Sequence, residues 1–150
     1  MTNKLFIFMH TLKSTLKGVS SLNYVGEYPY DVERGKTSGN VPAVLIQEGD
    51  EDLAELELNK SLNKSVSISL WLYHNTKKST IKTITDLQSL IETTVLSDTF
   101  YTASGAYCIN WVGVEKGEHL DNYDGYSVGY HNEHMIRKIN LDVILDIGRD

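Results

Sequence analysis

The sequence predicts an α+β fold: an antiparallel or mixed sheet of about four to five strands with two helices packed on one face, plus a long hairpin-like arm. Three observations carry that expectation. Two segments alternate apolar and polar residues with a period of two, as half-buried strands do. Two others repeat apolar residues at steps of three and four, the spacing of a helix face. The elements run helix, strand, strand, helix, strand, strand, and adjacent strands flanking single helices favour helices gathered on one side of a sheet.

The opening segment NKLFIFMHTLKSTLKG places Leu5, Phe8, Met9, Leu12, Leu16 and Val19 on one helical face, with Gly18 available to end it. A polar stretch from Ser20 to Asn40, rich in glycine and tyrosine, is expected to run over the surface. VPAVLIQEG reads as a strand bounded by a proline and a glycine, opening into the acidic run Glu48, Asp50, Glu51, Asp52, Glu55 and Glu57. Such a run is most often a solvated loop, and otherwise an interaction surface or a repulsive lining.

In KSVSISLWLYHN, Val66, Ile68, Leu70 and Leu72 share one face, while Ser65, Ser67, Ser69, Trp71 and Tyr73 share the other. The aromatic end of that second face is either covered by a loop or half of a subunit contact. Ile81, Ile84, Leu87, Ile91 and Val95 mark a second helix that Ser79 or Thr80 is placed to cap. AYCINWVGVEKG reads as a strand with Ile109 and Trp111 on one side and Val112 and Val114 on the other. The closing strand sets Ile139, Leu141, Val143, Leu145 and Ile147 against Lys138, Asn140, Asp142 and Asp146.

Composition narrows the chemistry. The chain has 150 residues, 41% of them hydrophobic, which suits a single domain spanning 1–150. LFIFM is too short to cross a bilayer and no small-residue cleavage site follows it, so the expectation is a soluble chain made in a cytoplasm, with no membrane partner. Fourteen basic against twenty acidic residues give a net charge of −6, which disfavours a dedicated nucleic-acid binder. The one cysteine, Cys108, cannot form an internal disulfide and is expected as a small buried hydrophobe in a strand.

The densest polar stretch is DNYDGYSVGYHNEH, Asp121 to His134. His131, Glu133 and His134 suggest a metal-dependent hydrolase as one alternative. Their spacing does not match the helical step of four that aligns two imidazoles, and in an extended arm His131 and His134 diverge. DNYDGY lacks the ligand order of a calcium loop. No G-x-S-x-G elbow and no phosphate-cradling glycine loop occurs. The expectation is therefore no catalytic residue, no metal and no cofactor. Tyr123, Tyr126 and Tyr130 combine large contact area with a hydroxyl, so they either grip another protein or pack the arm onto its own sheet. Together with His131, Trp71 and Tyr73 they are the candidate interface.

The opening helix, the proline-led strand with acids after it, SVSISLWLYHN passing by a short polar turn into STIKTITDLQSLIETTVL, and the pair AYCINWVGVEKG and INLDVILDI together resemble the tail-terminator proteins of long-tailed bacteriophages. They also resemble the wider group of tail-completion and neck proteins. The resemblance covers most of the chain and lies in order, length and hydrophobic pattern. It implies a small α+β subunit that forms a hexameric ring on the head-proximal end of the tail tube, stops polymerisation and offers a surface to the head connector. Tube protein and connector or neck proteins would be its partners, and the virion, assembled in the host cytoplasm, its location. Under that reading Glu48, Asp50, Glu51 and Asp52 are candidates to line the channel, repelling genomic DNA that passes without specific binding. A neck or head-completion protein is the alternative within the same class.

Overall fold

A computed structural model of the protein describes residues 3–34, 40–54, 63–75, 81–116 and 134–146. The elements are α1 (Lys4–Lys17), β1 (Tyr24–Glu27), α2 (Tyr30–Glu33), β2 (Ala43–Ala54), β3 (Asn63–Asn75), α3 (Ile81–Val95), α4 (Asp98–Ser104), β4 (Cys108–Lys116) and β5 (His134–Asp146). The strands form one five-stranded sheet in the order β1-β2-β3-β5-β4. β1 is parallel to β2 and the other neighbours are antiparallel, so the α+β fold is built on a mixed sheet.

The helix that opens the chain forms because its first turn is capped and one stripe is apolar. The Asn3 side chain accepts the Phe6 N–H at 2.9 Å, satisfying a donor that the helix itself leaves free. Phe8, Leu12 and Leu16, four residues apart, are fully buried. Ile84, Leu87, Ile91 and Val95 do the same for α3, whereas Ile81 at its start is 72% exposed. The proposed caps Ser79 and Thr80 lie outside the described residues. Between α3 and β4 stands a short helix that the periodicity does not reveal. Ser97 caps α4 by accepting the Phe100 N–H at 3.1 Å, and Gly105, at φ 73°, ends it in the left-handed conformation that glycine adopts without strain. Its Phe100 meets Phe8 edge to face at 5.6 Å, tying α4 to α1.

The apolar side of each long strand faces these three helices. Cross-strand pairs Leu70↔Ile139, Ile68↔Leu141 and Val66↔Val143 put the main core on the β3–β5 ladder. Each such fully buried side chain contributes roughly 1.5–3 kcal/mol. In β4 the expected alternation fails for a specific reason. The register shifts between Trp111 and Gly113, so Ile109, Trp111 and Val114 all pack against the core while Val112 stands 59% exposed. One inserted residue shifts the period by one and brings Val114 onto the side of Ile109 and Trp111.

The stretch from Ser20 to Asn40 does not simply run over the surface. Within it lie β1 and α2, and Val25, Tyr28, Asp31 and Val32 are buried. α1 and α3, the two helices that the periodicity marks, share one face with α4, while the short α2 packs on the opposite face of the sheet. Tyr28 and Val32 form a second apolar cluster there with Ala43, Leu45, Trp71 and Tyr73. The Asp31 carboxylate pins α2 to the strand by accepting the Glu27 N–H at 2.6 Å. Gly26 makes room for it: a Cβ at that position would sit 2.1 Å from Asp31 Oδ2.

Candidate functional site

The face opposite the three helices carries Trp71 and Tyr73, the two expected contact residues that the structure describes, and its two halves differ. At one end Trp71 and Tyr73 are only 1% and 2% exposed. The Tyr28 ring stacks on Trp71 with centroids 3.9 Å apart and planes 9° from parallel. Trp71 Nε1–H donates to Gln47 Oε1 at 2.9 Å, and Lys138 Nζ lies 5.1 Å from the ring centroid. The expectation that Trp71 and Tyr73 form a subunit contact is thereby corrected. They are internal packing residues, because the chain before and within α2 folds over them.

Beyond that cluster the same face is a flat terrace of short polar side chains. Register places Gln47, Ser69, Asn140 and Gly113 in one row across β2, β3, β5 and β4. Ser67, Asp142 and Asn110 form the next row, then Asp52, Ser65, Ile144 and Cys108. The terrace is knitted internally. Ser69 donates to Asn140 Oδ1 at 3.0 Å, Ser67 to Asp142 Oδ1 at 3.3 Å, and Asn140 Nδ2 to Glu115 Oε2 at 3.0 Å. The same Glu115 oxygen lies 3.6 Å from Lys138 Nζ, whose side chain is 8% exposed. A nearly buried ammonium needs such a counter-charge, and the half-exposed Glu115 supplies it. Cys108 also belongs to this face. It is half-buried, not enclosed as expected, and its thiol donates to Asn110 Oδ1 at 3.4 Å.

The acids Glu48, Asp50, Glu51 and Asp52 are exposed, as a solvated run should be, yet they belong to β2 and not to a loop. The strand continues because β3 keeps pairing with it out to Ala54↔Asn63, across a bulge between Glu48 and Glu51. At that bulge Gly49 lies against β3, where a Cβ would be 2.9 Å from the Ser67 carbonyl oxygen. Glu51 pairs with Lys64 at 2.6 Å.

A groove of about 640 Å³ separates α1 from the strands, lined among others by Leu5, Phe6, Met9, His10, Glu27 and Glu48. Phe6 and His10 stack along its rim at 5.8 Å, and Lys13 lies 4.0 Å from Glu27.

Among the described residues, three groups are displaced from their ordinary ranges. Burial and then the neighbouring Asp31 carboxylate raise Tyr24, while burial lowers His74 and Arg137. Arg137 lies on the helix side, where its guanidinium donates to Gln88 of α3. These displacements belong to groups held in packing, and the structure gathers none of them into a common pocket.

Tyr123, Tyr126, Tyr130, His131 and Glu133 lie outside the described residues, and His134 enters only as the first residue of β5, opposite Asn75. Among the described residues no group of three or more His, Cys, Asp or Glu side chains stands ready to hold a metal ion. No helix among them is long and apolar enough to cross a membrane.

Comparison with known proteins adds no family. No protein-family model matches the chain, and no curated protein matches it either.

The terrace is the surface that reading the sequence segment by segment misses. Its signal is present in the alternation: Ser65, Ser67 and Ser69 in one strand, Asn140 and Asp142 in another. Only the β3–β5 register shows that they face each other.

Proposed function

We propose that the protein is a structural subunit that closes into a ring on the head-proximal end of a bacteriophage tail tube, halting tube growth and offering a seat for the head connector. The observation that carries this reading is the half-covered second face of the sheet. Among the described residues three helices take one face, while α2 covers only one end of the other. What remains is a flat surface of serine, asparagine and aspartate side chains whose hydrogen bonds are largely internal. Such a surface can lie against another flat protein ring without leaving buried polar groups unsatisfied.

In this reading no reaction is catalysed. The work is done by contact: one side of the ring matches the last tube subunits, the other denies the next subunit its place. Glu48, Asp50, Glu51 and Asp52 stand at the free end of β2, where they repel the phosphates of DNA passing the opening.

The test is imaging by negative stain of the full chain, alone and mixed with tube protein or with portal-complex protein. Six-fold particles, or tubes that end in a distinct ring and stop lengthening, are the expected result. Binding to the portal complex without any effect on tubes would transfer the protein to the neck. A chain that ignores both partners would end the reading.

A further inference from the structure

We propose that the uncharged edge of β4 in one copy pairs with the free outer half of β2 in the next, a contact that rests on the ring reading above and names the strands that close it. Every sheet has two edges, and an edge exposes unpaired N–H and C=O groups that invite another strand. Proteins commonly blunt such edges with charge. Among the described residues β4 has a single neighbour, β5, and its run Cys108–Val114 contains no charged residue. Val112 is 59% and Tyr107 47% exposed along it, and Leu96 and Tyr101 extend the apolar strip over the adjoining helices. The Tyr101 hydroxyl donates to the Tyr107 backbone carbonyl at 2.8 Å, which holds the Tyr101 ring at the start of the strand.

The opposite side of the sheet is of another character. β1 pairs with β2 only as far as Glu27↔Ile46, so among the described residues Gln47–Ala54 has no neighbour on that side. This free half carries Glu48, Asp50, Glu51 and Asp52. Pairing it with itself across a two-fold axis would set acids against acids, which is unfavourable at every register that overlaps five or more residues. β1 is a poor alternative, because it is four residues long and the Glu27 N–H is already taken by Asp31. The neutral edge of β4 meets the acidic edge without like-charge opposition. Because the two edges lie on opposite sides of one sheet, their contact joins unlike surfaces and repeats from copy to copy, as a closed ring requires. Strand pairing uses main-chain groups, so the acid side chains stay on the sheet faces, free to meet the opening.

Asp52, opposite Ser65, and Asn110, opposite Asp142, lie on the same face of the sheet, so charge at position 110 reports on the contact. The experiment compares wild type, Asn110→Glu, Asn110→Lys and the double variant Asn110→Glu/Asp52→Lys, alone and with tube protein. Native mass spectrometry and negative stain count rings, circular dichroism checks that each variant is folded, and hydrogen exchange reads the β4 amides. Asn110→Glu is expected to lower the ring fraction by roughly tenfold or more, since the unfavourable pair recurs at every interface. Asn110→Lys keeps the rings, the double variant restores them, and β4 amides become protected on assembly. Rings indifferent to Asn110→Glu, or a loss that Asp52→Lys does not repair, overturn the strand assignment and leave the ring reading standing. Open chains that obey the charge swap overturn closure and keep the contact. Two-fold dimers joined β4 to β4, or single copies with unprotected β4 amides beside tubes, overturn the proposal.

Discussion

Replacing Gly26 by alanine tests how the second face of the sheet is assembled. The new methyl group would lie 2.1 Å from Asp31 Oδ2 and 2.6 Å from the Tyr24 ring, both far inside contact distance. The tyrosine ring can turn away, but Asp31 is 8% exposed and its oxygen is held at 2.6 Å by the Glu27 N–H. Expelling the carboxylate forfeits a charged hydrogen bond worth about 1.5–3 kcal/mol. Repacking α2 against Trp71 adds about 1–2 kcal/mol, and the reduced freedom of the unfolded chain returns about 0.4–1 kcal/mol. The net expectation is a loss of roughly 3 kcal/mol, or roughly 6–12 °C in Tm for a chain of this size. Urea unfolding followed by tryptophan fluorescence measures it, with Trp71 reporting the loss of its Tyr28 stack. In an Asp31→Ala background the same glycine substitution should cost under about 1 kcal/mol, because the group it collides with is gone. A Gly26→Ala protein within about 0.5 kcal/mol of wild type, or equal losses in both backgrounds, would refute the reasoning.

Two further outcomes follow from local chemistry. Burial lowers the His74 pKa below its ordinary 6.5, so the folded protein holds the ring neutral while the unfolded chain takes up a proton. Stability from this group is intact above pH 6.5 and falls as pH drops through the depressed folded value; the urea midpoint of His74→Gln should decline less over that range than that of wild type. Ser97→Ala removes the side chain that accepts the Phe100 N–H at the start of α4. It should cost about 1 kcal/mol in thermal unfolding, and Ser97→Asp should recover most of that.

The parts of this fold that declare themselves in the sequence are those long enough for a period to repeat. α1 and α3 show theirs over four turns, and β3 and β5 alternate cleanly over Val66–Leu70 and Ile139–Val143. What escapes is short or broken. β1 is four residues containing a glycine and α2 is a single turn after a proline, so neither offers a repeat, and both are held by a tertiary device, the Asp31 carboxylate, that no spacing reveals. α4 spans seven residues, and its signature is a cap and a left-handed glycine at its two ends. The bulge in β4 inserts one residue and moves Val114 from the side of Val112 to that of Ile109 and Trp111. At the candidate surface, the alternation in β3 correctly puts Trp71 and Tyr73 opposite the main core, but only the folded chain shows that Tyr28 and Val32 cover them. The acids are plain in the sequence, yet that they continue a strand depends on β3 pairing with them.

The pinned α2 turn also divides the molecule by durability. Four antiparallel strands share long ladders, whereas β1 joins the sheet through four residue pairs on one side and α2 is pinned to it by the Asp31 carboxylate. That margin is suited to lift away by itself, baring the indole and phenol rings beneath while the rest of the architecture persists. Any device that must grip a neighbour tightly and still tolerate distortion gains from having one hem that yields before the fabric does.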